Sequence, residues 1–194
     1  MTLGARRTLV SEFSGSGALV DAVYSAPVNG VPDGGPPEAL ATPWAVTGYA
    51  VGTSGIYMTS STGVWSMPLA GGTPTNLWPS TNLSGPIFVD SQNAYVATSG
   101  SILALPLSGV PDGGAPTILA AGIAGPSVVA IDATYVYRGG SDGTIAKIPL
   151  AGLPGSTPTL LAAGQSIGLG LTVDATSVYW LENGGQAVMK LTPK

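Results

Sequence analysis

The 194-residue chain contains no cysteine and no histidine, and its charges are few: six Lys and Arg against ten Asp and Glu. Without cysteine there is no disulfide framework and no thiol nucleophile. Without histidine there is no Ser-His-Asp arrangement, and with both missing the usual zinc ligand sets are gone. A net charge of −4 lacks the basic footprint that grips phosphate backbones, so no nucleic-acid partner is expected. Long apolar runs are missing too. Gly, Pro or a charge interrupts each one well short of the roughly 18 residues that a membrane-spanning helix needs. Arg6-Arg7 lie near the start, but no apolar stretch follows them, so residues 1–13 do not read as a twin-arginine export signal. Gly (29) and Pro (17) are abundant instead, yet 44% of the residues are hydrophobic, which sets the chain apart from low-complexity disorder and predicts one sizeable core. The positive mean hydropathy with so little charge matches the composition of exported or cell-envelope proteins, and an extracytoplasmic location is the expectation.

Internal repetition organises the chain. Ala130-Ile131-Asp132-Ala133-Thr134-Tyr135-Val136-Tyr137 recurs as Thr172-Val173-Asp174-Ala175-Thr176-Ser177-Val178-Tyr179, and weaker copies end at Tyr95 and Tyr57. These tyrosines are spaced by 38, 42 and 42 residues. Met67-Pro68-Leu69, Leu105-Pro106-Leu107 and Ile148-Pro149-Leu150 follow in step, as do Leu40, Leu77, Leu119 and Leu161. In the best copy, Ser127–Ile131 is a continuous apolar strand and Asp132-Ala133-Thr134 a tight turn. Tyr135–Arg138 is a second strand, the cluster 139–143 a turn, Thr144–Leu150 a third strand and Thr157–Ala162 a fourth. No stretch shows helical periodicity with caps.

A four-stranded unit of about 42 residues predicts an all-β fold, a β-propeller. A β-sandwich would not repeat one motif set at fixed spacing, and the coils of a β-solenoid are much shorter. The expected organisation is a single domain over 1–194: a closing strand at 1–10, a short blade at 11–41, full blades at 42–79, 80–121 and 122–163, and a three-stranded last blade at 164–194. In this reading residues 5–10 form the outer strand beside Ala187–Leu191 and close the ring without an open sheet edge. The alternative is a fragment of a larger propeller with a structural role.

Pro126–Pro149 and Leu171–Leu191 resemble blades of the NHL/YWTD-type β-propeller superfamily, above all the blades of bacterial envelope proteins that read roughly "VDATSVYW". The resemblance covers most of residues 42–194 and implies blade geometry rather than an activity. It also implies two kinds of function: protein- or glycan-binding scaffolds, and a gluconolactonase-like branch that holds a divalent metal in its channel. The chain departs from that branch, because its first strands (Ala45–Ala50, Pro86–Val89, Ser127–Ile131, Leu169–Val173) contain no carboxylate.

Asp90, Asp132 and Asp174 recur and invite a calcium reading, but equivalent positions in successive blades do not converge on one ion, and each sits where a turn needs an acceptor. Turn capping is the expectation. The Gly-Gly pairs are turns, since neither a Gly-Lys-Ser/Thr nor a helix follows them. The register tyrosines 57, 95, 137 and 179 read as packing between blades. Trp44, Trp65, Trp78 and Trp180 do not recur, so packing equivalence does not account for them. In a propeller the loops between second and third strands, and those leading to the next blade, open on one side. Here these segments carry Trp78, Asn82, Arg138, Asp142, Trp180, Glu182 and Asn183, the candidate partner-binding set. The function expected is a non-catalytic binding or scaffold propeller for a protein or carbohydrate ligand, with no catalytic residues, cofactor or metal. The alternative is a lactonase- or lyase-like propeller enzyme.

Overall fold

The computed structural model describes residues 7–11, 22–27, 38–41, 46–81, 83, 85–111, 114–123, 125–151, 155–183 and 187–194. These residues form five antiparallel sheets in chain order. The first holds β1 (Arg7–Ser11), β2 (Ala22–Pro27) and β3 (Glu38–Ala41). The second holds β4 (Val46–Val51), β5 (Ile56–Ser60), β6 (Gly63–Met67) and β7 (Thr75–Pro79). In the third are β8 (Ile87–Val89), β9 (Asn93–Ala97), β10 (Ser101–Pro106) and β11 (Thr117–Ala121). The fourth has β12 (Pro126–Ile131), β13 (Tyr135–Gly140), β14 (Ile145–Pro149) and β15 (Thr159–Ala162). The fifth has β16 (Ile167–Val173), β17 (Val178–Glu182) and β18 (Val188–Leu191). Each sheet is a meander in which consecutive strands are neighbours.

Burial follows the strand's place in its sheet. The second strand lies deepest: all five residues of β5, four of five in β9 and five of six in β13 are buried. A strand covered on both faces cannot alternate apolar with polar, which is why these segments read as runs such as Ile56-Tyr57-Met58. Fourth strands are half-wet, as in β7, where Leu77 is buried while Thr75 and Asn76 are exposed.

The apolar side chains gather at the junctions between consecutive sheets. Leu40 of β3 packs with Ile56, Met58 and Met67 of the second sheet. Tyr57, Val64 and Leu77 meet Ile87, Ala94, Val96 and Leu105 of the third. Tyr95, Ile102 and Leu119 meet Val129, Val136 and Ile148 of the fourth. Tyr137 and Ile145 meet Val178 and Trp180 of the fifth. The register tyrosines 57, 95 and 137 thus do pack between blades. First strands approach one another as well, β4 against β8 and β12 against β16.

One expectation is corrected. β1 pairs with β2, in the register Arg7↔Pro27 to Ser11↔Val23, and belongs to the first sheet. Among the described residues β18 has only β17 beside it, so the fifth sheet keeps three strands. The local connection favours this pairing: only residues 12–21 separate β1 from β2, so the two form a hairpin without waiting for the blades that separate β1 from β18. Apolar β-formers at Leu9 and Val10 suit either position, so composition could not separate the two pairings.

Candidate functional site

The recurring aspartates form the same corner three times. Asp132 Oδ1 accepts the amide N–H groups of Thr134 and Tyr135 at 2.8 and 2.9 Å, and Oδ2 accepts the Tyr137 hydroxyl at 2.8 Å. Asp90 does the same for Gln92, Asn93 and Tyr95, and Asp174 for Thr176, Ser177 and Tyr179. The carboxylate caps the turn from first to second strand and ties down the tyrosine five residues on. In the second sheet Gly52 stands at the Asp position, and the Tyr57 hydroxyl pairs with Ser54 Oγ at 2.8 Å instead. These acids are structural.

The corner sets its own acidity. Burial works to raise the pKa of Asp132, but bonds from Lys194, the Thr134 and Tyr135 amides and Tyr137 outweigh it and hold the carboxyl far below its ordinary range. Asp174, bonded by Tyr179 and Thr176, falls to about 2. On the tyrosine side, burial and the Asp90 carboxylate push Tyr95 up to about 12. The fourth-sheet corner has one more member. Lys194 places Nζ 2.7 Å from Asp132 Oδ2, over the Tyr137 ring and against the carbonyl of Asp174.

The partner-binding candidates divide. Asn82 lies outside the described residues. Trp78, on β7, is partly buried and packs on the core between the second and third sheets. Trp180 is 4% exposed, among Tyr137, Ile145 and Val178. It is a core residue, and its assignment to a binding face is corrected. The repeat carried the signal: the position after each register tyrosine holds Met58, Val96, Arg138 and Trp180, and all four are buried. Glu182 closes β17, where its amide donates to Ala187 O at 3.0 Å.

Arg138 and Asp142 are brought together, and Asp142 shares a cavity with Asn183. Arg138, on β13, is 6% exposed, and its Nη1 lies 3.6 Å from Asp142 Oδ1 in the turn between β13 and β14. Thr144 donates both its amide and its hydroxyl to that oxygen, at 3.1 and 2.7 Å. The Thr144 hydroxyl bond leads in lowering the Asp142 pKa, slight burial opposes it, and the Thr144 amide and Arg138 add to it. With the two side chains placed as they are, a Cβ at Gly140 would collide with both Arg138 Nη1 and Asp142 Oδ1, so these flexible ends would have to move apart to admit one.

Asp142 borders two cavities. One, of about 330 Å³, is a groove between the third and fourth sheets that includes Arg138, Thr144, Gly122, Thr157 and Leu160. The other, of about 470 Å³, lies between the fourth and fifth sheets and includes Gly140, Gly143, Gln165, Ser166 and Asn183. Asn183 is fixed by its backbone: its amide donates to Ser166 O at 2.7 Å, and Ser166 Oγ donates to its carbonyl at 2.8 Å. Gln165 and Ser166 escaped the sequence reading because they lie in a connection without a repeated motif. Among the described residues no three carboxylates come together as a metal-ligand group. The arrangement offers hydrogen-bond donors and acceptors beside an apolar wall, a surface suited to holding a ligand.

No family model matches the chain, and no curated protein sequence matches it. Solved structures do. A chain of the nidogen/laminin complex overlays with a TM-score of 0.66 at 18% identity, covering 89% of this chain and 68% of that one. Regucalcin from Agrobacterium tumefaciens, a calcium-binding protein, gives 0.61 at 19% identity over 89% of this chain and 63% of its own. BamB from Moraxella catarrhalis gives 0.58 at 19% identity over 99% and 64%. The chain thus spans about two thirds of each. These neighbours are β-propellers, and the chain has the all-β, β-propeller fold that its repeats predict.

Proposed function

We infer that the chain is a non-catalytic binding propeller of the NHL/YWTD blade type, which recognises a protein or glycan through one side of its later blades. One observation carries this reading: Arg138, Asp142 and Asn183, drawn from two consecutive sheets, border two adjoining cavities that share Asp142. Asp142 and Asn183 lie on loops, the usual placement of a recognition surface, and Arg138 backs them from strand β13. Exposed Leu160 on the wall of the first cavity gives the mixed apolar and polar lining that ligand sites use.

The test probes immobilised protein with arrays of glycans and of peptides, comparing the parent with Asp142→Asn. Binding should fall in the variant while the melting temperature stays put, since the Asp142 side chain is 40% exposed and the ion pair spans 3.6 Å. Equal binding by both proteins, or none by either, refutes the reading.

A further inference from the structure

Arg138 breaks the rule of its own repeat. The residue after the register tyrosine is Met58 in the second sheet and Val96 in the third, both fully buried, and Trp180 in the fifth. In the fourth it is an arginine, 6% exposed, whose Nε and Nη1 have no hydrogen-bond partner. A guanidinium carries five N–H donors and stays charged. Burying such donors without acceptors is strongly unfavourable. Blade packing does not ask for a charge here, because the second and third sheets fold around Met58 and Val96 at the same place and the fifth around Trp180, whose single indole N–H is likewise buried without a partner. Asp142 does not complete it, since its Oδ1 stands beyond hydrogen-bond distance and already accepts twice from Thr144.

Asp142 is a second departure at the same spot. Tyr57 pairs with Ser66 and Tyr95 with Ala104, each nine residues on, whereas Tyr137 pairs with Lys147, ten residues on, and Tyr179 of the fifth sheet with Lys190, eleven on, without an acid beside a buried arginine. The extra residue lengthens the β13–β14 turn that sets Asp142 beside Arg138. Both departures border the groove of about 330 Å³, near the lower end of the roughly 300–1,000 Å³ typical of small-molecule sites. Pro158 and Leu160, the latter 59% exposed, also line it.

We propose that this groove is a saccharide subsite, in which the Arg138–Asp142 pair spans two neighbouring hydroxyls and Leu160 and Pro158 meet the carbon face of the ring. The proposal rests on the binding reading above and adds the ligand class. The charges decide it. Asp142 offsets the guanidinium against an anion, and Arg138 offsets the carboxylate against a cation, which leaves a neutral ligand. A hydroxyl both donates and accepts, so one oxygen takes a guanidinium N–H, which Nε and Nη1, closed to solvent in this structure, offer once the side chain shifts toward the groove, while its neighbour donates to the carboxylate. A ring also presents the apolar face that an exposed leucine can cover.

The full chain is titrated with neutral mono- and disaccharides of glucose, galactose and N-acetylglucosamine, by saturation-transfer NMR and calorimetry. Arg138→Met installs what the second sheet already carries at this register. Its melting temperature should equal or exceed the parent's, as when a buried ion pair gives way to an apolar group. Saccharide binding should weaken by about tenfold or more, and Asp142→Asn should weaken it similarly. A melting temperature that drops as far as for a core deletion would make Arg138 structural and overturn the proposal. If no saccharide binds but a peptide does, and both variants lose it, the saccharide assignment falls while the binding-module reading stands. If neither class of ligand binds, both fall.

Discussion

Replacing Asp132 by Asn separates the two parts of its corner. The substitution keeps Oδ1, which receives the Thr134 and Tyr135 amides, so the turn cap survives. It exchanges Oδ2, which accepts from the Tyr137 hydroxyl at 2.8 Å and from Lys194 Nζ at 2.7 Å, for an amide that donates. Tyr137 is 1% exposed, and the Lys194 side chain 10%. Two charge-assisted bonds are lost, each worth about 1.5–3 kcal/mol when fully shielded. Asp132 is itself 25% exposed and solvent screens part of the ion pair, so the net cost should be about 2–3 kcal/mol. For a chain of this size that lowers the melting temperature by about 4–12 °C. Asp90→Asn is the internal control, because its Oδ2 serves Tyr95 with no lysine, and it should cost about 1–1.5 kcal/mol. The assay is thermal unfolding of both variants at neutral pH, with Lys194→Met completing a double-mutant cycle. Equal losses for Asp132→Asn and Asp90→Asn, or no coupling between Asp132 and Lys194, would refute the idea that Lys194 strengthens this corner.

The same corners govern response to pH. Asp90, Asp132 and Asp174 have folded pKa values below the unfolded one of about 3.9. Their stabilisation is therefore complete above about pH 5 and is lost as pH falls, through about 2 for Asp174; acid titration of stability checks this. Tyr95, raised to about 12, contributes in the opposite sense: its share is complete below the unfolded value near 10 and is lost as pH rises through 12, so Asp90→Asn should flatten the alkaline limb. Trp180→Ala should cost about 3–5 kcal/mol in denaturant unfolding, as befits a side chain at the fourth-to-fifth junction. A loss below about 1 kcal/mol would return Trp180 to the surface.

Much of this architecture was legible because it is written several times over. The Asp-to-Tyr corner needs an acceptor, two free amides and a hydroxyl at fixed offsets, and those offsets survive as a repeated string. The pairing of β1 was not legible. Thr8-Leu9-Val10 satisfies any sheet edge, and nothing in those residues marks which edge they take. The site shows the same division. Arg138, Asp142 and Asn183 stood out as uneven groups in loop-adjacent positions, yet Trp180 did too and proved to be core. The difference lies in register: residue type alone marks a tryptophan as unusual, whereas comparison down the column of Met58, Val96 and Trp180 marks it as one more large apolar filler. In that column the arginine is the stranger.

The junction-by-junction arrangement of the core has a mechanical meaning. Each described cluster of buried side chains belongs to two adjacent sheets and to no third. Free energy in such an array is a sum over blades and over the contacts between neighbours, as in stacked repeats. Damage at one junction then travels no further than the two blades that share it, except through loss of cooperativity between the halves it divides. Leu105 and Val96 hold the third sheet to the second, Ile102 and Leu119 hold it to the fourth, and the third sheet is in this sense the hinge pin of the described arc. Weakening either of its junctions would divide the described blades into two groups that each keep their own remaining contacts.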